Sequence, residues 1–109
     1  MSVIAKFLYE IIPGRFDDFM EMLGQAASPE FDSPVMPSSV RLFRCIVPGP
    51  DTSSIQLFIE YPDMAAYGRR TDFENNNPKW RALFSEQPDS PQRLVSVELL
   101  SEIVPSAPL

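Results

Sequence analysis

Apolar and polar residues alternate in four segments of the chain, which predicts four β-strands. In the first segment, residues 3–12, Ala5, Phe7 and Tyr9 fall on one side, and the other side carries Ile4, Lys6, Leu8 and Glu10. The remaining segments are residues 40–47, 53–61 and 93–104. Because only the short connector "PGPDTS" separates the second segment from the third, we expect these two strands to form an antiparallel hairpin.

Helical spacing appears twice between these strands. Phe16, Phe19, Met20 and Leu23 recur at i, i+3, i+4 and i+7 and predict a helix within residues 15–27. After the third strand, Asp63 suits an N-cap, and residues 64–74 are predicted to be helical with Met64, Tyr67 and Thr71 on one face. Pro78 is then expected in the first turn of a short helix over residues 78–86. Residues 28–39 carry three prolines and four serines and are predicted to be a loop.

The order β-α-β-β-α-β predicts an α+β fold of the ferredoxin-like type, a four-stranded antiparallel sheet with its helices on one face. The opposite face would mix Leu8, Phe58 and Leu100 with polar side chains, namely Lys6, Gln56, Glu60, Glu98 and Glu102. A sheet face with so many apolar side chains would form an unusually large exposed patch. We therefore predict a homodimer in which the two sheets face each other around a two-fold axis.

Composition narrows the classes of function. The 109 residues are expected to form one domain, 1–109, with a proline-rich tail from about residue 105. The net charge of −6 argues against binding to nucleic acid or to an anionic membrane. No run of apolar residues is long enough to span a bilayer, and the N-terminal segment has the pattern of a strand rather than of a signal peptide. A single cysteine, Cys45, rules out an internal disulfide and favours a cytoplasmic location.

The absence of histidine is the strongest constraint on chemistry. It excludes catalytic triads of the Ser-His-Asp type and the common zinc and iron sites that use imidazole. No metal and no cofactor are expected, and proton transfer would have to use Glu, Asp, Tyr, Lys or Cys.

The element order and the passage "IEYPDMAAYGRRTDFENNNPKW" resemble the dimeric α/β-barrel superfamily, and within it the NIPSNAP-like domains. The shared pattern is a strand that ends in an aromatic residue, a capped helix, and the motif Asn-Pro-x-Trp, here Asn77 to Trp80. The superfamily includes cofactor-independent monooxygenases of antibiotic biosynthesis, polyketide cyclases, muconolactone isomerases and haem-binding members. The resemblance implies a cavity for a small molecule between the sheet and the helices. The histidine that many haem-binding members and several cyclases use has no counterpart here.

The resemblance also implies a set of ligand-contacting residues. Monooxygenases of the superfamily often present an asparagine, a tryptophan, an arginine and a tyrosine to their substrate. The possible counterparts here are Tyr9, Arg44, Tyr67, Asn76 and Trp80.

Each of these residues has a simpler structural interpretation. The asparagines before Pro78 would end one helix and begin another, and Trp80 would pack in the core with Leu83 and Phe84. Arg44 would either orient an acidic group of a ligand or form an ion-pair network with Glu60 and Glu98. The adjacent Arg69 and Arg70 are expected on a solvated helix face.

These patterns predict a homodimer that binds a small hydrophobic ligand. As an enzyme it would cyclise or isomerise an aromatic or polyketide-like carbonyl compound of secondary metabolism without a cofactor. Two alternatives remain open, a cofactor-independent monooxygenase and an accessory or assembly module without catalytic activity, and the sequence does not decide whether turnover occurs.

Overall fold

The computed structural model describes residues 1–47 and 51–103 of the chain. These residues form one four-stranded antiparallel sheet with the helices packed on one face, as the order of elements predicts. The strands are β1 (Val3–Ile11), β2 (Ser39–Cys45), β3 (Asp51–Tyr61) and β4 (Gln92–Ser101). The helices are α1 (Phe16–Ala26), α2 (Met64–Asn75) and α3 (Pro78–Phe84), and a 3-10 turn (Pro29–Phe31) lies within the predicted loop.

The strand order is β2-β3-β1-β4, so the two strands at the centre of the sheet are β3 and β1. The hairpin between β2 and β3 is confirmed by their antiparallel register, in which Leu42 lies opposite Leu57. The connector at residues 48–50 and the predicted proline-rich tail lie outside the described residues. The strand predicted to reach residue 104 ends at Ser101.

The hydrophobic core lies between the central strands and the helices. From β1 and β3, the buried side chains on this face include Tyr9, Ile11, Ile55 and Leu57, and α1 covers them with Phe19 and Met22. Phe19 is fully buried and holds its ring 5.2 Å from the ring of Tyr9. Phe16, Phe19 and Leu23 of the predicted stripe face the sheet because they share one side of the helix. Met20 does not, since it is 38% exposed, and Met22 is buried in its place.

The stripe predicted for α2 is only partly correct. Tyr67 and Thr71 are half-buried, but Met64 is 56% exposed. The buried residues of this helix are Ala66 and Arg70, which are four residues apart and thus on one face. The expectation that Arg70 lies on a solvated face is wrong, since only 3% of this residue is exposed.

The face of the sheet away from the helices carries the residues that the alternation assigned to it. In the register, Lys6 lies opposite Phe58 of β3 and opposite Glu98 of β4, and Ile4 lies opposite Glu60 and Leu100. Lys6 Nζ and Glu98 Oε1 are 3.6 Å apart. Apolar and charged side chains therefore alternate across this surface, as the sequence predicts.

No helix in residues 1–47 and 51–103 is both long enough and apolar enough to cross a membrane.

Candidate functional site

The asparagine-rich junction between α2 and α3 has a structural role. Asn77 is the N-cap of α3, and its Oδ1 accepts hydrogen bonds from the backbone N–H groups of Lys79 (3.0 Å) and Trp80 (3.3 Å). Asn76 is exposed and donates its side-chain N–H back to the carbonyl of Asp72 at 2.9 Å. The residue before a proline avoids helical geometry, so the break falls at Asn77, as the structural interpretation of this motif predicts.

Trp80 packs among aromatic rings. Its ring centroid lies 5.2 Å from that of Phe31 in an edge-on arrangement and 4.8 Å from that of Phe84. The guanidinium of Arg70 lies 5.3 Å from the Trp80 ring centroid. Trp80 thus joins α3 to the segment around the 3-10 turn, and the structure does not bring it together with the exposed Asn76.

Arg70 connects α2 to the loop that precedes β2. Its Nη1 donates to the carbonyl of Phe31 at 2.7 Å and lies 3.1 Å from Ser33 Oγ. On its own helix, Arg70 Nε donates to Glu74 Oε2 at 2.9 Å. A buried guanidinium needs this number of partners because an unpaired buried charge is strongly unfavourable.

The charge of Glu74 acts on two buried tyrosines. Burial raises the pKa of Glu74, although its hydrogen bond and ion pair with Arg70 act in the opposite direction. Burial, together with the negative charges of Glu86 and Glu74, raises the pKa of Tyr9 to about 12. Burial and the charge of Glu74 likewise raise the pKa of Tyr61 to about 12, against the opposing effect of Arg70. Tyr67 stacks on Tyr61 with ring centroids 5.5 Å apart.

We call Tyr9, Tyr61, Tyr67 and Glu74 the phenol–carboxylate cluster. Strands β1 and β3 supply the first two residues and α2 supplies the others, all on the helix-facing side of the sheet. Tyr61 lies opposite Val3, six residues along β1 from Tyr9, and the two tyrosines pack in different parts of the core. The charge of Glu74, which acts on both phenols, is what relates them. Among the described residues, the Tyr9 hydroxyl takes part in no hydrogen bond. Groups that can carry a proton and whose pKa is shifted by burial are typical of catalytic sites.

Gln92 is a buried polar residue on the helix-facing side of the sheet. It is 1% exposed, and within the described part of the chain its Oε1 has no hydrogen-bond partner. In the register Gln92 lies opposite Ile11, two residues along β1 from Tyr9, so both side chains share the helix-facing side. A buried acceptor without a donor is uncommon in proteins.

The structure divides the five residues proposed from the sequence. Tyr9 and Tyr67 belong to the phenol–carboxylate cluster. Trp80 is not a member, but it contacts Arg70, which is paired with Glu74 of the cluster. Asn76 lies outside it at the surface. The sequence analysis missed Tyr61, Glu74 and Gln92. In the sequence, Tyr61 looks like any residue at the end of a strand and Glu74 like any residue on the surface of a helix. Only their tertiary surroundings distinguish them.

Arg44 lies elsewhere, at a cavity of about 540 Å³ on the sheet face away from the helices. Its register partner Ile55 faces the helices, and the β-bulge follows Arg44, between Arg44 and Cys45. Arg44 lines the cavity together with Glu60. In the described residues, no ion pair joins Arg44 to Glu60 or Glu98, and Glu98 pairs with Lys6 instead. The predicted network of these three residues does not form within one protomer.

No group of three or more acidic or cysteine side chains in residues 1–47 and 51–103 has the arrangement of a metal site.

Comparison with known proteins supports the fold. No protein-family model and no curated protein sequence match this chain. Among solved structures, a NIPSNAP-like domain protein from Burkholderia xenovorans superimposes with a TM-score of 0.66 at 19% identity, over 99% of this chain and 90% of that one. A mutant of SnoaB, a cofactor-independent oxygenase from Streptomyces nogalater, gives 0.67 at 14% identity over 96% of each chain.

A proposed antibiotic biosynthesis monooxygenase from Bordetella bronchiseptica gives a TM-score of 0.65 at 22% identity, over 94% of this chain and 98% of that one. Identities this low establish a common fold and not a common reaction. The resemblance to NIPSNAP-like domains and to the superfamily of the antibiotic biosynthesis monooxygenases is confirmed at the level of the fold.

Proposed function

We propose, starting from the fold that this chain shares with NIPSNAP-like domains and antibiotic biosynthesis monooxygenases, that it is a homodimeric protein that binds a small carbonyl compound. The ligand is aromatic or polyketide-like, and the protein isomerises or cyclises it in secondary metabolism, in the cytoplasm and without a cofactor. The single observation that carries the proposal is that Glu74, whose pKa is raised, acts by its charge on the phenol of Tyr9, which forms no hydrogen bond within the described part of the chain.

The chemistry of these two groups is complementary. A carboxylate whose pKa is raised is a stronger base than one in water, so Glu74 can remove a proton from the carbon next to a carbonyl group. The phenol of Tyr9 stays protonated at neutral pH and can donate a hydrogen bond to the carbonyl oxygen as negative charge develops there. Returning the proton from Glu74 to another carbon completes an isomerisation, and attack of the enolate carbon on a second carbonyl within the ligand closes a ring.

The surroundings of this site suit an aromatic ligand. Tyr67, which is half-buried, stacks on Tyr61, and Glu74 keeps part of its carboxylate side chain accessible, at 21% exposure. These two α2 residues mark the side from which a ligand would reach Tyr9. Aromatic side chains contribute large contact areas and prefer offset or edge-on contact with other rings.

The proposed dimer uses the far face of the sheet. Lys6 and Glu98 form an ion pair there, and Leu8, Phe58 and Leu100 lie on the same face. An isologous contact between two such faces would remove the apolar side chains from water and leave the charged ones near partners of opposite sign.

The proton-transfer proposal can be tested without knowing the natural substrate. The probe is 2-tetralone, an aromatic ketone with acidic protons next to its carbonyl, and the measurement is exchange of these protons for deuterium in D₂O, followed by NMR. We expect the wild-type protein to accelerate exchange roughly 100-fold over buffer, the magnitude typical of a positioned general base. Glu74→Gln should return the rate nearly to that of buffer, and Tyr9→Phe should lower it roughly tenfold because one stabilising hydrogen bond is lost.

The matched control is Glu21→Gln, which removes an exposed carboxylate from α1. Exchange at the wild-type rate is expected for this variant. The proposal is wrong if wild-type protein leaves the exchange rate at that of buffer, or if Glu74→Gln and Glu21→Gln behave alike.

Cofactor-free oxygenation has weaker support in this chain. It would require Asn76, Trp80 and Arg44 around one ligand, but Asn76 is bonded back to its own helix, Trp80 packs on Phe31, and Arg44 lines a cavity on the opposite face of the sheet. The likeness of fold to SnoaB is the observation that keeps this function as the second candidate. A module without catalytic activity is the third candidate. It would be favoured if 2-tetralone exchanged its protons at the rate of buffer with the wild-type protein and with every variant.

A further inference from the structure

The cavity on the far face of the sheet is separate from the phenol–carboxylate cluster. It lies over β2 and β3, has a volume of about 540 Å³, and is open on the side away from the helices. This volume falls within the range of roughly 300–1,000 Å³ that is common for small-molecule sites. The proton transfer proposed above makes no use of it, although Phe58 also belongs to the face of the proposed dimer.

Two aromatic rings form one wall of the cavity. Phe43 of β2 and Phe58 of β3 meet edge-on, with ring centroids 5.2 Å apart and planes at 86°. Phe43 is 41% exposed, so an apolar ligand could cover surface that now contacts water. An aromatic ligand would extend this edge-on packing.

Two arginines line the cavity and supply positive charge. Arg41 lies 5.0 Å from the centroid of Phe43, and Arg44 lines the cavity beside the β-bulge. Neither forms an ion pair with a carboxylate in the described residues. Glu60 is the acidic residue of the lining, and its Oε1 accepts a hydrogen bond from Ser39 Oγ at 3.3 Å.

The charge of the cavity is therefore opposite to that of the molecule. The chain has a net charge of −6, whereas the lining has two arginines against one glutamate. A local positive charge beside an aromatic wall complements a ligand that joins an aromatic ring to an anionic group. Arginine is well suited to a carboxylate because its planar fork can donate two parallel hydrogen bonds.

We propose that this cavity binds a small aromatic carboxylate, with the acid on Arg41 and Arg44 and the ring against Phe43 and Phe58. The site belongs to one protomer. A second copy would close the cavity with its own sheet only if the dimer proposed above forms. The preference of the cavity for an acid does not depend on that dimer.

The test compares 2-naphthoate with 2-naphthamide, which has the same ring and no charge, by isothermal titration calorimetry. We expect wild-type protein to bind the acid roughly tenfold more tightly than the amide, and the difference to shrink as salt is added. The double variant Arg41→Gln/Arg44→Gln should bind both compounds equally.

The matched control is Arg69→Gln/Arg81→Gln, which removes the same charge from exposed positions on α2 and α3 and should keep the preference for the acid. Equal binding of acid and amide by the wild-type protein, or loss of the preference in the control double variant, would overturn the proposal. Tyr9→Phe separates the two sites, since it should slow 2-tetralone exchange and leave naphthoate binding unchanged. Loss of naphthoate binding in Tyr9→Phe would also overturn it.

Discussion

Arg70 shows how much a single side chain can depend on its tertiary surroundings. Its neighbour Arg69 is exposed on the same helix, whereas Arg70 reaches the carbonyl of Phe31, the carboxylate of Glu74 and the faces of two aromatic rings. The pair "Arg-Arg" in the sequence does not distinguish these two positions. Arg70 therefore fixes the orientation of Glu74 as well as the position of the loop before β2.

Replacing Arg70 by methionine tests this role. Arg70→Met keeps an unbranched side chain of similar length but leaves Glu74 and the Phe31 carbonyl without a partner, so we expect the free energy of unfolding to fall by about 3 kcal/mol. Arg69→Met, at the exposed neighbour, should change it by less than about 0.5 kcal/mol. Urea denaturation followed by circular dichroism measures both values. Equal stability of the two variants would show that the contacts of Arg70 do not stabilise the fold.

At the scale of secondary structure, local sequence determines where most elements begin and end. Pro78 and the N-cap Asn77 start α3 where the sequence predicts it, and Asp63 caps α2 by accepting a hydrogen bond from the N–H of Ala66 at 2.7 Å. Capping is a contact between near neighbours in the chain, so the sequence alone can reveal it. The buried face of α2 was harder to predict, because its inward position is occupied by an arginine.

The junction gives a prediction at this scale. Asn77→Ala removes the acceptor for two backbone N–H groups and should lower the free energy of unfolding by about 1 kcal/mol. Asn76→Ala removes one exposed hydrogen bond to the same chain segment and should cost no more than a few tenths of a kcal/mol. Thermal or urea unfolding of the two variants checks the order. A larger loss for Asn76→Ala would mean that Asn76 has a contact that the protomer does not show.

For the whole molecule, the decisive feature is a sheet with two different faces. The helices cover the central strands on one face, and the other face carries Leu8, Phe58 and Leu100 around the Lys6–Glu98 ion pair. Leu100 is 38% exposed in a single protomer. The proposed partner would cover this face, and the far-face cavity would then be enclosed between two sheets.

A charge placed on this face tests the dimer. In a two-fold interface the Leu100→Glu substitution is present in both protomers. We therefore expect the free energy of dissociation to fall by about 3 kcal/mol, which raises the dissociation constant roughly 100-fold. Met64→Glu, at an exposed position of α2, should leave the association unchanged. Sedimentation equilibrium over a range of concentrations measures both. A wild-type protein that stays monomeric at high concentration, or a Leu100→Glu variant that associates as tightly as wild type, contradicts the proposed interface.

The sequence by itself determined the order of strands and helices, the faces of β1 and β3, and the break at Asn77, because periodicity and capping are relations between residues close in the chain. Through the resemblance of the chain to a family, it also proposed Tyr9 and Tyr67 as site residues, which stays a prediction. Only the tertiary structure decided that Arg70 is buried, that Glu74 acts on Tyr9 and Tyr61, and that Arg44 lines the far-face cavity. These facts depend on burial and on charges brought together from distant segments, and neither leaves a periodic signal in the chain.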